Sequence, residues 1–371
     1  MKNIGILTFH ASHNYGSVLQ AYALSKQLML MGNQVEIVNL RVEKQKKKYK
    51  IFRTQTGIAG AIRTAFTALI YTKLKKRFDK YEDFIANTLP TTKKQYTTGK
   101  QLAKENFDYD TYVCGSDQIW NPACPDFDTA YYLDFLKNNV NKIAYAPSLG
   151  KTKFDEQTVK RISQLLKNVN HISVREKQGA EFLRTLTNKS IEVVCDPVVL
   201  LEKQCWEEII VEPKVKKPYI LSYFLSNNHG DRSMLDYLQQ KTGFDVIVLN
   251  EYIRDYFKPY QYAIDAGPGE FLGLFKNASL IYTNSFHGTA FSAIFNKPFF
   301  TSVAKDANAA NNNDSRKFDF LEKLNLSHRI ITDTLPDIET ILNLDYKEVN
   351  RKMREFRKHS LTYLQNAISS C

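Results

Sequence analysis

Four short stretches place reactive side chains at the end of an apolar run. "HASHNYG" (His10 to Gly16) follows "NIGILTF", "GSDQIWNP" (Gly115 to Pro122) follows "DTYVC", Arg175 follows "HISV", and "NSFHGT" (Asn284 to Thr289) follows "SLIYT". Each offers a distinct chemistry. Glycine lets backbone approach a ligand closely, and the open N–H groups of a helix start favour an anion. Arginine grips a carboxylate or phosphate through two parallel hydrogen bonds. Histidine moves protons near neutral pH. His287 leaves a strand and is followed by Gly288 and a helix, which sets it in a field of N–H dipoles with access to solvent and marks it as a catalytic candidate. The other histidines, His10, His13, His171, His229, His328 and His359, read as structural hydrogen-bonders. Elsewhere two readings stay open. Asn14-Tyr15-Gly16 fits a turn with an N-cap as well as a ligand loop, Asp117 a cap as well as a base, and Arg175 a surface ion pair as well as an anion contact.

The elements that must carry these residues alternate between strand and helix. "NIGILTF", then "GSVLQAYALSKQLMLMG", a helix carrying apolar Leu19, Tyr22, Ala23, Leu28 and Met31 and ending at Gly32, then "QVEIVNL", form a βαβ start. Its right-handed crossover makes the sheet parallel. The pattern resumes after Pro90 and restarts after the polar stretch "VEPKVKKP" with "YILSYFL". The expected fold is α/β, with two doubly wound Rossmann-like domains: residues 1–211, carrying an insertion at about 44–80, and residues 212–345. A polar helix over 346–371 is expected to pack back on the first domain, and "ANAANNND" reads as a mobile loop. In open α/β sheets ligands bind beyond the carboxyl ends of the strands, which is where all four stretches lie.

Composition narrows the classes. A chain of 371 residues with 43% hydrophobic and 24% charged residues suits about two soluble globular domains. No run of about 18–20 apolar residues spans a bilayer, and the N-terminus reads as a strand in place of a signal peptide. Five cysteines without CxxC spacing indicate reduced thiols and no metal cluster. The net charge of +12 is concentrated: from Arg41 to Lys80 thirteen Lys and Arg face only Glu43 and Asp79, an excess of +11. The rest is near neutral, which argues against a nucleic-acid groove. Ile58, Ile62, Phe66, Leu69, Leu74 and Phe78 recur at three to five residues in the basic segment, the pattern of a basic amphipathic helix, with a solvated helical insertion as the alternative.

Six ordered segments, "NYGSVLQAYAL", "YVCGSDQIWNP", "YAPSLG", "SVREKQGAEFL", "CDPVVLL" and "TNSFHGTAFSAIFNKPF", resemble the polysaccharide pyruvyl transferase family over most of the chain. The resemblance implies two Rossmann-like domains facing a cleft, as in B-type glycosyltransferases. It also implies transfer of a pyruvyl group from phosphoenolpyruvate to a sugar as a cyclic ketal, with no cofactor and no metal. It places Arg175, Ser285, Phe286, Gly288, Thr289 and Arg316 at the donor, with His287 as catalytic acid and the N–H groups of Gly288 and Thr289 as anion donors. Some family members have arginine where this chain has Ser285, and Arg316 is the candidate replacement. Asn14, Tyr15, Gly16, Ser116, Gln118 and Trp120 suit the sugar acceptor, with Asp117 taking the hydroxyl proton.

The partners that the resemblance implies are phosphoenolpyruvate and a sugar, expected on a lipid diphosphate, and residues 44–80 are expected to meet an anionic membrane or that diphosphate. The expected location is the cytoplasm, peripheral on the inner face of the cytoplasmic membrane. A sugar-nucleotide-dependent glycosyltransferase and a non-catalytic glycan-binding or membrane scaffold protein are the competing readings, the second suggested by Ser285.

Overall fold

The computed structural model describes every residue except 53–55, 137–139, 226–231, 250–257, 304–313, 332–337, 343–344 and 371, and leaves the side chains of 59, 232, 340 and 341 undescribed. His229 and nearly all of the "ANAANNND" tract lie outside the described residues.

The apolar runs form strands whose residues are largely buried on both faces, the mark of a parallel sheet covered by helices. The first sheet contains β1 (Asn3–Leu7), β2 (Gln34–Ile37), β3 (Thr111–Cys114), β4 (Asn141–Ala144), β5 (His171–Val174) and β6 (Ile191–Val193). The second contains β7 (Tyr219–Tyr223), β8 (Asp245–Val248), β9 (Gln261–Tyr262), β10 (Leu280–Thr283), β11 (Phe299–Ser302) and β12 (Ile330–Ile331). Both are parallel, in the orders β2-β1-β3-β4-β5-β6 and β12-β11-β10-β7-β8-β9. Read from β9, the second sheet has the Rossmann order. In each sheet the strand order reverses once, between β1 and β3 and between β7 and β10. At such a point the connections leave on opposite faces and open a crevice at the carboxyl edge. Three of the four reactive stretches follow β1, β3 and β10, and Arg175 follows β5.

One apolar core joins the sheets. The helix Tyr15–Leu30 starts where the Asn14 side chain accepts from Ser17 N at 3.3 Å. Its first residue anchors the second domain: the Tyr15 ring stacks on Phe271 at 4.4 Å, and its hydroxyl donates to Ala266 O at 2.7 Å. The C-terminal helix Tyr346–Ser369 lies against the first domain. Asn141 Nδ2 donates to Ala367 O at 2.7 Å, Cys195 N to Ser360 Oγ at 2.9 Å, and Arg357 Nε to Val199 O at 2.8 Å.

The basic segment differs from expectation. Three helices, Glu43–Lys48, Gly57–Leu69 and Tyr71–Thr88, replace one amphipathic helix. Ile70, at φ −102° and ψ 12°, resets the helical phase. The apolar stripe therefore divides: Leu74 turns inward against Ile264, while Ile58, Ile62 and Leu69 face out. Among the described residues, no helix is long and apolar enough to cross a membrane.

Candidate active site

His287 sits in the first turn of the helix Phe286–Ile294, directly after β10. Ser285 caps that helix, its hydroxyl accepting from Gly288 N at 3.2 Å. Thr289 donates to Ser285 O through both its N–H, at 2.9 Å, and its hydroxyl, at 3.0 Å. The N–H groups of Gly288 and Thr289 are thus used inside the helix. Among the described residues the N–H groups of Phe286 and His287 have no acceptor, so these two and not the expected pair are the candidate anion donors of the first turn.

The His287 ring crosses to the first domain. It lies so close to Gly16 that a Cβ there would stand 2.0 Å from Nδ1. Its other nitrogen, Nε2, is 3.6 Å from Asp196 Oδ2 and makes no hydrogen bond among the described residues. Gly16 therefore takes part by lacking a side chain.

Asp196 is the residue that sequence reasoning missed. It stands before Pro197 at a helix start and reads as an N-cap, which it is: Oδ1 accepts from Val198 N at 3.0 Å. The second oxygen holds the site together. Asp196 Oδ2 accepts from Arg175 Nη1 and from Ser116 Oγ at 3.3 Å, beside His287. Burial alone would raise this carboxyl, but the charges of Arg175 and His287 outweigh it and hold it well below the ordinary carboxylate range.

Arg175 is buried, and its guanidinium lies 4.8 Å over the Phe286 ring. Nη2 is 3.9 Å from Asp117 Oδ1, too far for a hydrogen bond. Nε and Nη2 are buried with no acceptor among the described residues. Arg316, on the helix Ser315–Lys323, approaches the same ring at 5.9 Å. Burial depresses its guanidinium, and the like charge of Arg175 adds to that. Two arginines thus converge where the first-turn N–H groups emerge. Neighbouring Lys317 is buried and fixes the strand ends, donating to Asn284 O at 3.0 Å and Ser302 O at 2.5 Å. Glu176, also missed, is buried with Oε2 unbonded among the described residues, and burial pushes its carboxyl up against the pull of Arg175 and Arg316.

Asp117 adopts φ 63° after Gly115 and faces the same space. Its Oδ2 accepts from Ser17 Oγ at 2.6 Å, and Oδ1 from Gln118 N at 2.8 Å. Burial opposes ionisation, but His287, Arg175, the Ser17 hydroxyl and Arg316 prevail and lower its carboxyl.

The residues expected to meet a sugar divide. Trp120 is fully buried, stacked on Tyr132 at 4.6 Å with its indole N–H donated to Tyr131 O at 2.9 Å. Its ring faces the core and presents no surface to a ligand. Tyr15 joins the domains, and Ser116, equally buried, donates to Ala146 O at 2.6 Å and braces Asp196. Asn14 and Gln118 keep partial exposure, Gln118 Oε1 accepting from Asn121 Nδ2 at 2.6 Å. The insertion brings unanticipated groups to this side. Gln45 Nε2 donates to Ser12 Oγ at 3.0 Å, Lys48 Nζ stands 3.9 Å from Asp126, and Tyr81 stacks on His13 at 5.0 Å.

Several solved structures share the fold over full length. A putative UDP-N-acetylglucosamine 2-epimerase from Listeria monocytogenes is 8% identical, covering 100% of this chain and 97% of its own, with a TM-score of 0.53. Anabaena HepE in complex with UDP is 10% identical, covering 100% and 99%, with a TM-score of 0.51. The UDP-GlcNAc 2-epimerase of Methanocaldococcus jannaschii is 14% identical, covering 98% and 100%, with a TM-score of 0.50. Such identities show the fold alone: two Rossmann-like domains across a cleft. No curated protein matches the chain. The sequence itself is more specific, since the family model for polysaccharide pyruvyl transferase matches residues 14–304, a span holding His287, Arg175, Asp117 and Asp196. The chain belongs to the polysaccharide pyruvyl transferase family.

Proposed function

We propose that the protein transfers a pyruvyl group from phosphoenolpyruvate to two hydroxyls of a lipid-linked sugar, forming a cyclic ketal and releasing phosphate. The observation that carries this reading is Arg175. A buried guanidinium with two unmatched donors is costly, each unmade hydrogen bond amounting to about 1–3 kcal/mol, and an anionic ligand removes that cost. Phosphoenolpyruvate carries both a carboxylate and a phosphate. Arg175, Arg316 and the N–H groups of Phe286 and His287 offer donors for both.

In this mechanism His287 gives a proton to the methylene carbon, and C2 becomes oxocarbenium-like. The first sugar hydroxyl adds to C2 and loses its proton to Asp117, which its cationic neighbours keep ionised. The bond from C2 to the phosphate oxygen then breaks and phosphate leaves. The second hydroxyl adds to C2 and closes the ketal, its proton passing to the released phosphate, and the proton held by Asp117 goes to solvent as His287 is reprotonated. Carbon oxidation states balance throughout, so no redox cofactor is needed. Asp196 holds Arg175 and provides a countercharge near His287.

Incubation of the protein with phosphoenolpyruvate and a panel of lipid-linked sugars tests the proposal. The expected result is stoichiometric phosphate and an acceptor heavier by one pyruvyl ketal. Consumption of a nucleotide sugar with phosphoenolpyruvate untouched would instead make the protein a glycosyltransferase. Inertness toward both donors would favour a binding protein.

A further inference from the structure

The helix Gly57–Leu69 carries an apolar face that nothing in the described chain covers. Ile58 is 82% exposed, Ile62 57% and Leu69 81%. At about 100° per residue these three and exposed Ala65 fall within an arc of about 60°. Phe52 and Tyr71, which flank the helix in sequence and are exposed by 48% and 41%, stack on each other at 5.7 Å. The 13-residue helix contains no acid, and exposed cations flank it: Lys44, Lys47 and Lys50 before it, Arg63 on it, Lys73, Lys75 and Lys76 after it. Solvated insertions rarely keep large aliphatic side chains aligned on one exposed face.

We infer that this insertion docks the protein on an anionic lipid surface, with Ile58, Ile62 and Leu69 entering the interface and the flanking cations meeting acidic headgroups. Charge selects this occupant over a second copy of the chain, because two segments of +11 would repel when brought face to face. The helix is about 20 Å long, so it lies in the interface and does not span it. The insertion is also wired to the cleft. On the helix Tyr71–Thr88, Lys80 pairs with Glu270 of the second domain at 2.5 Å, and Glu82 takes Arg41 at 2.8 Å and His13 at 2.7 Å. A surface-bound insertion would therefore hold the cleft beside the bilayer. The inference rests on the surface and not on the reaction chemistry.

Co-sedimentation of the full chain with phosphatidylcholine vesicles, with and without about a third phosphatidylglycerol, tests it in the absence of any substrate. Wild type should sediment with the anionic vesicles, less as salt rises and little with the neutral ones. Neutralising Lys47, Lys50, Lys73 and Lys76 to Gln should weaken partitioning on the order of a thousandfold at low salt, at about 1 kcal/mol for each cation. The triple variant Ile58→Ser, Ile62→Ser, Leu69→Ser should lose the salt-resistant remainder. Every substituted side chain is at the surface, and an unchanged thermal transition verifies folding. Wild type left in the supernatant at low salt would overturn the inference, as would variants that sediment equally well. So would a wild-type dimer in sedimentation velocity that the triple variant converts to monomer.

Discussion

Gly16→Ala perturbs the site through a single methyl group whose position the structure fixes. The new Cβ would stand 2.0 Å from His287 Nδ1, 2.5 Å from Cγ and 2.6 Å from Cε1. Ordinary contacts between such atoms are about 3.5–4 Å, so the ring must retreat by about 1.5 Å. It has little room, since Phe286 packs against it at 5.2 Å and the helix behind it is buried. Retreat carries Nε2 away from its place 3.6 Å from Asp196 Oδ2. A misplacement of about 1 Å can cost about a hundredfold in rate, so turnover should fall by at least that factor. Stability should change little. Gly16 lies inside the helix Tyr15–Leu30, where alanine gains about 1 kcal/mol of propensity against an overpacking cost of about 1–3 kcal/mol. Phosphate release from phosphoenolpyruvate with acceptor, measured beside a thermal transition, separates the two effects. Wild-type turnover in folded Gly16→Ala would refute the argument that the ring's position matters.

Further perturbations address single groups. His287→Ala should lower turnover by at least about a hundredfold with the fold intact, as loss of a general acid does; near wild-type turnover would remove it from the mechanism. Arg175→Ala and Arg316→Ala should each raise the donor KM, with lysine rescuing poorly if the grip is bidentate; an unchanged donor KM would make that arginine structural. Burial lowers His10 from 6.5 to about 4, against hydrogen bonds to Asn39 and Thr8. The neutral ring's contribution is complete above pH 6.5 and is lost as pH falls toward about 4, because the unfolded chain takes up the proton first. Urea midpoints at pH 7.5 and pH 5 should therefore diverge less in His10→Gln than in wild type, and equal divergence would contradict the assignment.

Much of this arrangement was legible because position along a strand is a sequence property. His287, Asp117 and Arg175 each follow an apolar run, and parallel sheets gather such residues at one edge. Exposure and side-chain bookkeeping were not legible. Trp120 has the same letter whether it faces a sugar or stacks on Tyr132, and only the packed fold decides. The N–H groups of Gly288 and Thr289 are spent locally, Gly288 on the Ser285 hydroxyl, a cap that depends on a rotamer, and Thr289 on the Ser285 carbonyl of the helix itself. Asp196 was hidden by doing two things: its helix-cap signature accounts for one oxygen and gives no hint of Arg175 on the other. The phase reset at Ile70 is likewise a backbone event without a proline or glycine to announce it.

The central claim is that the cluster of Arg175, Arg316 and His287 receives phosphoenolpyruvate. Isothermal titration of phosphoenolpyruvate into the wild-type protein and into Arg175→Ala, with UDP titrated in parallel, addresses it without any acceptor. The account predicts saturable phosphoenolpyruvate binding that Arg175→Ala weakens by at least about tenfold, the loss of one charge-assisted contact of about 1.5–3 kcal/mol, and no comparable binding of UDP. Tight UDP binding with no heat from phosphoenolpyruvate, or equal phosphoenolpyruvate affinity in both proteins, would contradict it.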